Sequence, residues 1–215
     1  EKEFDPYLFM KRVPTLHRDE ADRRRVLPPK TKKCLQTLVL DLDETLVHSK
    51  MEPVPDADIV FRVDVRESRS TVYVKARPFL DEFLIAASKM FEIVVFTASH
   101  KAYARTLLDR LDPQNCLFDH RLYRDACTNV DGLYVKDLDR LGRDLALTTI
   151  VDNTPYVFAY QPDNAIPVDS WYDDPNDTTL LDLLDFLQRD LHHAPDVRPL
   201  LKHTFDLRTK IENAR

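Results

Sequence analysis

Glycine is scarce in this sequence, with only Gly132 and Gly142 among its 215 residues. Walker loops and dinucleotide-binding fingerprints need several glycines, because their backbone must come close to the phosphates. Neither kind of nucleotide site can therefore be built here. If this protein handles phosphate, it must do so with side chains, helix termini and metal.

Cysteine is almost as rare, and its three residues, Cys34, Cys116 and Cys127, are scattered. An odd number without regular spacing fits a reducing compartment better than a disulfide framework. The sequence contains no Cys-x-x-Cys pair, which argues against a structural zinc site. None of the three cysteines begins the Cys-x5-Arg loop of cysteine-dependent phosphatases.

Long apolar runs and an excess of positive charge are also missing. No stretch of about 18 apolar residues occurs, so no membrane span is expected. The formal net charge of −6 gives no global basic field, so direct nucleic-acid binding is not expected. The composition, 43% hydrophobic and 32% charged, is that of a globular protein. We expect a monomer in an intracellular compartment, the nucleus or the cytoplasm or both.

The chain divides into an arm and a domain. Residues 1–36 are polar, partly basic and rich in proline, which predicts an irregular arm with one short helix around Asp19–Arg25. Aromatic residues near its start indicate that the arm is packed on the domain. Residues 37–215 are predicted to form that domain. The sequence begins with Glu1 rather than Met, as expected of a piece of a longer protein.

Three apolar runs have the length of buried parallel strands, namely Thr37–Leu42, Phe91–Thr97 and Leu147–Val151. Amphipathic helical patterns lie between and after these runs, with expected starts near Pro78, Ser99 and Asp177. This alternation predicts an α/β fold with a doubly wound, Rossmann-like and mostly parallel sheet.

A different pattern separates the first strand from the first of these helices. Ile59–Val65 and Thr71–Lys75 alternate apolar and polar residues around a polar turn. This period of two predicts a small inserted β-hairpin over residues 59–75. It is too short to be a domain, and it is well placed to flank a site.

All three apolar runs end in oxygen-bearing side chains, and open α/β sheets bind ligands at the carboxyl ends of their strands. Asp41 and Asp43 follow the first run and, two residues apart on an extended backbone, face the same way. Their repulsion favours a divalent cation or a shared proton. Alone, the pair fits equally a solvated acidic turn or the metal site of a glycosyltransferase.

The other strand ends and one lysine complete the set. Thr97, next to Ser99 and a helix start, can bind a phosphate oxygen, although a lone threonine usually has no such role. Lys136 is either a surface charge or a partner for charge that develops at a phosphate. Asp152 and Asn153 either cap a turn or supply oxygen ligands of the kind that Mg²⁺ prefers.

Four motifs in this order resemble those of the haloacid dehalogenase superfamily: DLDETLVHS at Asp41–Ser49, FTAS at Phe96–Ser99, YVKDL at Tyr134–Leu138 and VDNTP at Val151–Pro155. They resemble more narrowly its FCP/SCP branch, which dephosphorylates the C-terminal domain (CTD) of RNA polymerase II. Further segments, including FDPYLFMKRVP, RRVLPPKT and FAYQPDNAIPVDSW, look most similar to the CTD small phosphatase-like protein 2 group. The resemblance covers nearly the whole chain and implies that residues 37–215 are an FCP1-homology phosphatase domain.

The resemblance implies a magnesium-dependent protein serine/threonine phosphatase that acts through an aspartyl-phosphate. Asp41 would be the nucleophile, and Asp43 the general acid and then the general base. Thr97 and Lys136 would stabilise the phosphoryl oxygens. The implied Mg²⁺ site uses the Asp41 carboxylate, the Asp43 carbonyl and Asn153, with Asp152 close behind and Thr45 orienting the loop.

Substrate recognition is less strongly implied. In the small CTD phosphatases an apolar pocket receives a substrate proline, and the matching positions here are Met51, Val63, His100 and Tyr103. Arg124 matches an arginine that contacts the substrate phosphate. Met51 and His100 depart from the family's usual aromatic and aliphatic residues, which puts polymerase specificity in doubt. Met51 and Val63 fit ordinary core filling equally well. Because no large cap is expected, a phosphoprotein is favoured over a small metabolite as substrate.

Three other functions are weighed against this one. A catalytically inactive scaffold could recognise phosphopeptides, but binding alone needs no acid such as the Asp43 carboxyl. A lipin-directed phosphatase of the nuclear-envelope type has a segment similar to SWYDDPNDTTLLDLL at residues 170–184. A glycosyltransferase would need a nucleotide pocket that the motif order does not provide.

Overall fold

The computed structural model describes residues 4–14, 25–32, 36–65 and 68–215. The strands of the described chain are β1 (Thr37–Leu40), β2 (Val47–Lys50), β3 (Ile59–Val65), β4 (Ser68–Ala76), β5 (Glu92–Phe96), β6 (His120–Leu122), β7 (Thr128–Val130), β8 (Leu133–Val135), β9 (Thr148–Asp152) and β10 (Ala165–Pro167). The α-helices are α1 (Pro6–Arg12), α2 (Leu80–Met90), α3 (Lys101–Leu111), α4 (Thr179–Phe186), α5 (Val197–Phe205) and α6 (Leu207–Asn213).

The main sheet has five parallel strands in the order β10-β9-β1-β5-β6. From β1 the chain first adds β5 and β6 on one side, then returns to add β9 and β10 on the other. The reversal leaves a crevice beyond the carboxyl end of β1, where ligands bind in sheets of this kind. The predicted doubly wound α/β fold is confirmed.

Alternate residues of β1 point into two separate cores. Leu38 and Leu40 pack in a cluster with buried residues of α2, α3, α4 and α5. Val39 packs on the opposite face with Met10 of α1 and Leu207 of α6. Because both faces of the sheet are covered, its central strands are continuously apolar, as the sequence pattern indicates.

The insertion is larger than the predicted hairpin. β3 and β4 pair as expected, but β2 adds to β4 and makes a three-stranded antiparallel sheet in the order β2-β4-β3. The sequence of β2, Val47–Lys50, contains His48 and Ser49 and has no apolar alternation, so no strand was expected there. Of the polar turn predicted over residues 66–70, residues 68–70 belong to β4 instead, and residues 66 and 67 lie outside the described residues.

All three helices begin after the predicted residue. α2 begins at Leu80, two residues after Pro78. Ser99 does not cap α3, which begins at Lys101 after His100. Asp177 lies one residue before the N-cap of α4, yet its carboxylate accepts hydrogen bonds from the backbone N–H and the hydroxyl of Thr179. Asp177 therefore still satisfies an unpaired donor at the helix start.

The arm is more regular than expected, because it contains α1. Asp5 caps this helix by accepting hydrogen bonds from the N–H groups of Tyr7 and Leu8. Lys11 ties α1 to the last helix, since its Nζ donates to the carbonyls of Glu212 and Ala214 at 2.8 and 3.1 Å. The short helix expected around residues 19–25 falls outside the described residues, apart from residue 25. Within the described ranges, no helix is long and apolar enough to cross a membrane.

Candidate active site

Three neighbouring strands bring the predicted side chains to one edge of the main sheet. β1 ends just before Asp41, β5 ends at the residue before Thr97, and β9 ends at Asp152, which Asn153 follows. Together with Lys136, these residues line one cavity of about 190 Å³. The four sequence motifs thus converge in space.

Lys136 occupies the floor of this site, with only 1% of its side chain exposed. Its Nζ lies 2.5 Å from Oδ1 of Asp41 and 2.5 Å from Oδ2 of Asp152. Burial alone would lower the pKa of Lys136, but the charges and hydrogen bonds of the two carboxylates more than offset it, so the pKa lies above its usual value. The buried ammonium therefore stays charged and holds two strand ends together.

Asp152, one of the two carboxylates that contact Lys136, is also buried. Burial, followed by the negative charge of Asp41, raises the pKa of Asp152 to about 7, although Lys136 opposes the shift. Its Oδ1 accepts a hydrogen bond from the backbone N–H of Thr154. Both carboxylate oxygens of Asp152 thus already have protein donors.

Asp43 is held by hydroxyl groups rather than by a cation. Its Oδ1 accepts from the Tyr103 hydroxyl at 2.6 Å, and its Oδ2 from Ser99 at 2.7 Å and, more weakly, from Thr97 at 3.4 Å. Burial raises the pKa of Asp43; hydrogen bonds from Tyr103 and Ser99 oppose this, whereas the charge of Asp41 adds to it. A raised pKa favours the protonated carboxyl that a general acid needs.

Tyr103 was expected to line an apolar pocket, but its polar end serves Asp43. Burial and the nearby Asp43 charge raise the pKa of Tyr103 far above its usual value, so the phenol keeps its proton. Its oxygen also lies 2.6 Å from Oγ of Ser49. When Tyr103 donates to Asp43, Ser49 must donate to Tyr103, because each hydroxyl has a single proton.

Two side-chain oxygen atoms in the cavity, Oδ2 of Asp41 and Oδ1 of Asn153, are suited to bind a metal ion. The Thr45 hydroxyl lies 3.1 Å from both Oδ2 of Asp41 and Oδ1 of Asn153. The Asn153 amide nitrogen donates to Ser170 at 2.8 Å, which fixes the amide with Oδ1 toward the Thr45 hydroxyl. Carboxylate and amide oxygens are ligands that Mg²⁺ accepts.

The charge of the site fits the same ion. With Asp43 protonated, ionised Asp41 and Asp152 face the single buried ammonium of Lys136, which leaves negative charge for a cation to balance. Among the described residues, no three His, Cys, Asp or Glu side chains are arranged to hold a metal. A metal here would therefore need Asn153 and a backbone carbonyl besides Asp41.

Arg124 lines the same cavity. Its Nε donates to the Ala98 carbonyl at 2.5 Å, and its guanidinium lies 4.9 Å from the centre of the Tyr134 ring. Its Nη1 lies 2.9 Å from Nε2 of His100. Because arginine can only donate, this contact requires an unprotonated Nε2. The result is a fixed cation at the cavity, and a guanidinium is a group that can bind phosphate.

The four residues predicted to line a proline pocket do not share one environment. Val63 is 5% exposed and packs in the core, as its alternative interpretation predicts. Met51 is 68% exposed on the surface, so it is not core filling. His100 contacts Arg124 and Tyr103 contacts Asp43, so two members of the set are engaged in polar contacts.

Arg77 is a site residue that sequence reasoning missed. It is fully buried, forms a two-pronged ion pair with Asp177 at 2.8 Å for each bond, and donates to the carbonyls of Thr45 and Asp169. It thereby anchors the loop that positions the Thr45 hydroxyl. No local motif marks such a residue, because its partners are 32 to 100 residues away in the chain.

Comparison with known proteins gives a family match. The sequence profile of "NLI interacting factor-like phosphatase" matches residues 36–198. The chain is 44% identical over 213 residues to CTD small phosphatase-like protein 2 of Dictyostelium discoideum, covering 99% of this chain and 37% of that protein. It is 46% identical over 210 residues to CTD small phosphatase-like protein 3 of Caenorhabditis elegans, covering 97% of this chain and 73% of that protein.

A human relative and two solved structures extend the match. Carboxy-terminal domain RNA polymerase II polypeptide A small phosphatase 2 of Homo sapiens is 47% identical over 161 residues, which are 74% of this chain and 58% of that protein. The chain thus spans from 37% to 73% of the length of these three relatives. Fcp1, described as an essential RNA polymerase II CTD phosphatase, superposes with a TM-score of 0.57 at 22% identity, covering 82% of this chain and 63% of that one. Fission yeast Fcp1 bound to beryllium fluoride gives 0.56 at 21% identity, covering 82% and 62%.

Proposed function

Because this chain belongs to the NLI interacting factor-like phosphatase family, we propose that it is a magnesium-dependent protein serine/threonine phosphatase that works through an aspartyl-phosphate. The observation that carries the proposal is a pair of aspartates with opposite surroundings in one cavity. Asp41 contacts a buried ammonium, whereas burial among hydroxyl groups raises the pKa of Asp43. Two carboxyl groups in such different environments can serve as nucleophile and acid.

In the first step, an Asp41 oxygen attacks phosphorus and the bond from phosphorus to the Ser or Thr oxygen of the substrate breaks. The departing oxygen takes the proton of Asp43. In the second step, Asp43 removes a proton from water as the water oxygen attacks phosphorus. The bond from phosphorus to Asp41 breaks, inorganic phosphate leaves, and both aspartates return to their starting states.

Charge on the transferred group is balanced by residues that touch the cavity. Lys136 lies against Asp41 and can donate to a phosphoryl oxygen, and Thr97 lines the same cavity. The Asp41 carboxylate, the Asn153 amide oxygen and the Asp43 carbonyl would hold Mg²⁺, with Asp152 behind them positioning Lys136. The bound ion would offset the repulsion between the Asp41 carboxylate and the phosphate dianion.

A phosphoprotein is the substrate class that we favour. The cavity of about 190 Å³ accommodates a phosphoryl group and the side chain that carries it, so the rest of the substrate must lie outside. Several relatives are named as phosphatases of the RNA polymerase II carboxy-terminal domain, and we include that domain among the candidate substrates. Action on such a target would place the protein in the nucleus, the cytoplasm or both.

The direct test is hydrolysis of p-nitrophenyl phosphate and of phosphoserine peptides with and without Mg²⁺. We expect turnover that EDTA abolishes, and a loss of at least about 1,000-fold in kcat for Asp41→Asn, because a neutral amide is a poor nucleophile. Peptide binding without turnover by the wild-type protein would instead support the phosphopeptide-binding scaffold.

Metal binding has a separate readout. Added Mg²⁺ should raise the melting temperature of the wild-type protein by mass action, and Asn153→Ala should reduce this shift because one ligand is lost. The matched control is Asn129→Ala, which changes an exposed asparagine outside the cavity. Equal shifts in the wild-type and Asn153→Ala proteins would contradict the assignment of the metal ligands.

A further inference from the structure

A second concavity lies between α1 and the β7–β8 hairpin, and we call it the terminal groove. Its volume is about 760 Å³. Its apolar lining consists of Phe4, Leu8, Phe9, Val13 and Val130. It is thus about four times larger than the catalytic cavity and differs from it in being lined by many apolar side chains.

The terminal groove and the catalytic cavity share no lining residue, but they adjoin through contacts between aromatic rings. The rings of Phe4 and Phe9 both line the groove, and each meets the Tyr156 ring edge-on with 5.8 Å between centroids. Tyr156 in turn lines the catalytic cavity. Tyr156 therefore connects the linings of the two spaces, and a polypeptide that leaves the cavity past Tyr156 would come next to Phe4 and Phe9.

The groove presents apolar surface to solvent. Phe4 is 55% exposed even though its ring contacts the rings of Tyr156 and Phe9. Together with the half-buried side chains of Leu8, Phe9, Val13 and Val130, it forms an apolar concavity of the kind that receives apolar ligand groups. Of the charged lining residues, Asp5 is engaged in capping α1, and the others are Asp131, Arg12 and Arg215. An apolar segment without a high positive charge is the ligand that this lining suits.

We propose that the terminal groove binds apolar residues of the substrate polypeptide on one side of the phosphorylated Ser or Thr. This inference rests on the proposed phosphatase function, because continuity with the catalytic cavity selects the substrate over other occupants. Contacts remote from the reacting atoms can raise kcat/KM for a polypeptide without affecting a small aryl phosphate.

The test is a scan with phosphoserine peptides in which a single Phe is moved position by position along an otherwise Ala- and Ser-based sequence. In the wild-type protein, one or two neighbouring positions on one side should raise kcat/KM about 10-fold, the effect of burying one large apolar side chain. Leu8→Asp should abolish this preference and leave p-nitrophenyl phosphate hydrolysis unchanged. Val130→Asp, on the opposite wall, should do the same.

The matched control is Ile85→Asp, which makes the same kind of change at a 48%-exposed position of α2 outside the groove. It should keep the full Phe preference. A flat scan, or a preference that survives in both Leu8→Asp and Val130→Asp, would overturn the proposal. If the wild-type protein does not hydrolyse p-nitrophenyl phosphate, the proposed function fails by itself. The groove is then tested by fluorescence anisotropy of the unphosphorylated peptides, for which equal affinity of wild-type and Leu8→Asp proteins would overturn it.

Discussion

At the scale of single residues, the two aspartates that follow β1 have different surroundings. Asp41 and Asp43 are two residues apart, yet one touches Lys136 and the other touches Tyr103 and Ser99. The sequence predicts both aspartates and Lys136, because each lies in a recognisable motif. It does not predict the hydroxyl groups around Asp43, since a tyrosine or serine in a helix or loop carries no signal of its contacts.

The rate should depend on pH through Asp43. Because the acid must start protonated and burial raises the pKa of Asp43, kcat/KM should increase as pH falls from about 7 toward 5. The measurement is a pH profile with a phosphopeptide at saturating Mg²⁺. A flat profile, or one that rises toward alkaline pH, would count against Asp43 as the acid.

Replacing Tyr103 by Phe should change that profile in a defined direction. The Tyr103 hydrogen bond favours the charged carboxylate, so its loss should raise the pKa of Asp43 further and move the alkaline limb of kcat/KM to higher pH. We also expect kcat to fall about 10-fold, because the carboxyl is less well oriented.

Ser49→Ala is the control for this variant. It removes the hydroxyl behind Tyr103 but leaves the contact between Tyr103 and Asp43, so its effect on both kcat and the profile should be smaller. If Tyr103→Phe left the alkaline limb where it is in the wild-type protein, the hydrogen bond would have no role in tuning Asp43.

At the scale of elements, the catalytic loops are held by contacts from outside the main sheet. The three-stranded sheet begins at β2, only a few residues after Asp43, and β4 ends just before Arg77. Arg77 then binds the carbonyl of Thr45 and the carboxylate of Asp177 before α4. Thus the loop after β1, the insertion and a C-terminal helix are joined through one buried ion pair.

Breaking this ion pair should destabilise the protein strongly. Arg77→Met leaves Asp177 without its partner and Thr45 O without a donor, and we expect a loss of about 3 kcal/mol in the free energy of unfolding. Urea denaturation of the single variants and of Arg77→Met/Asp177→Leu would measure it. The double variant should lose less than the sum of the single losses, because no buried charge remains unpaired. Additive losses would contradict this account.

The elements show where prediction from sequence succeeds and where it stops. The buried strands β1, β5 and β9 are predictable, because parallel strands covered on both faces must be continuously apolar. The short strand β2 was missed, since its partner β4 is what makes His48 and Ser49 extended. Helix α1 was also missed, although Asp5 and Pro6 form a typical helix start; its stability comes from packing against distant α6.

At the scale of the whole molecule, Glu92 links parts of the sheet that are far apart in sequence. Its carboxylate accepts from Thr37 of β1 at 2.7 Å and forms a two-pronged pair with Arg143 at 2.8 Å for each bond. Burial acts to raise its pKa, but these hydrogen bonds and the Arg143 charge outweigh burial and lower the pKa of Glu92 to about 2.

Acid stability should depend on this residue. Since the pKa is lowered on folding from 4.5, Glu92 stabilises the protein above about pH 4.5, and this contribution is lost as pH falls toward 2. Glu92→Gln should therefore unfold more easily at pH 7, by on the order of 2 kcal/mol, and the difference from wild type should shrink between pH 4.5 and 2. Urea unfolding at several pH values measures this, with Asp185→Asn, an exposed pair member, as a near-neutral control. A difference that stayed constant with pH would show that the Glu92 charge contributes nothing.

The family and the fold were the most predictable features of the whole molecule. The resemblance to the FCP/SCP phosphatases is confirmed by the match over residues 36–198, because four motifs in fixed order carry it. The surroundings of Met51, Val63 and His100 were less predictable, because matching a family position does not determine whether a side chain is buried or exposed. Val63 illustrates this, because its side chain is buried in the hydrophobic core.

The contact between Lys11 and the last helix has a consequence for connectivity. Segments joined to either end of the chain would leave the domain at neighbouring points, on the side where Arg12 and Arg215 border the terminal groove. Two modules tethered there would experience a high effective concentration of one another. For the same reason, a circular permutant that links the two ends through a short peptide would keep the strand pairing of all three sheets.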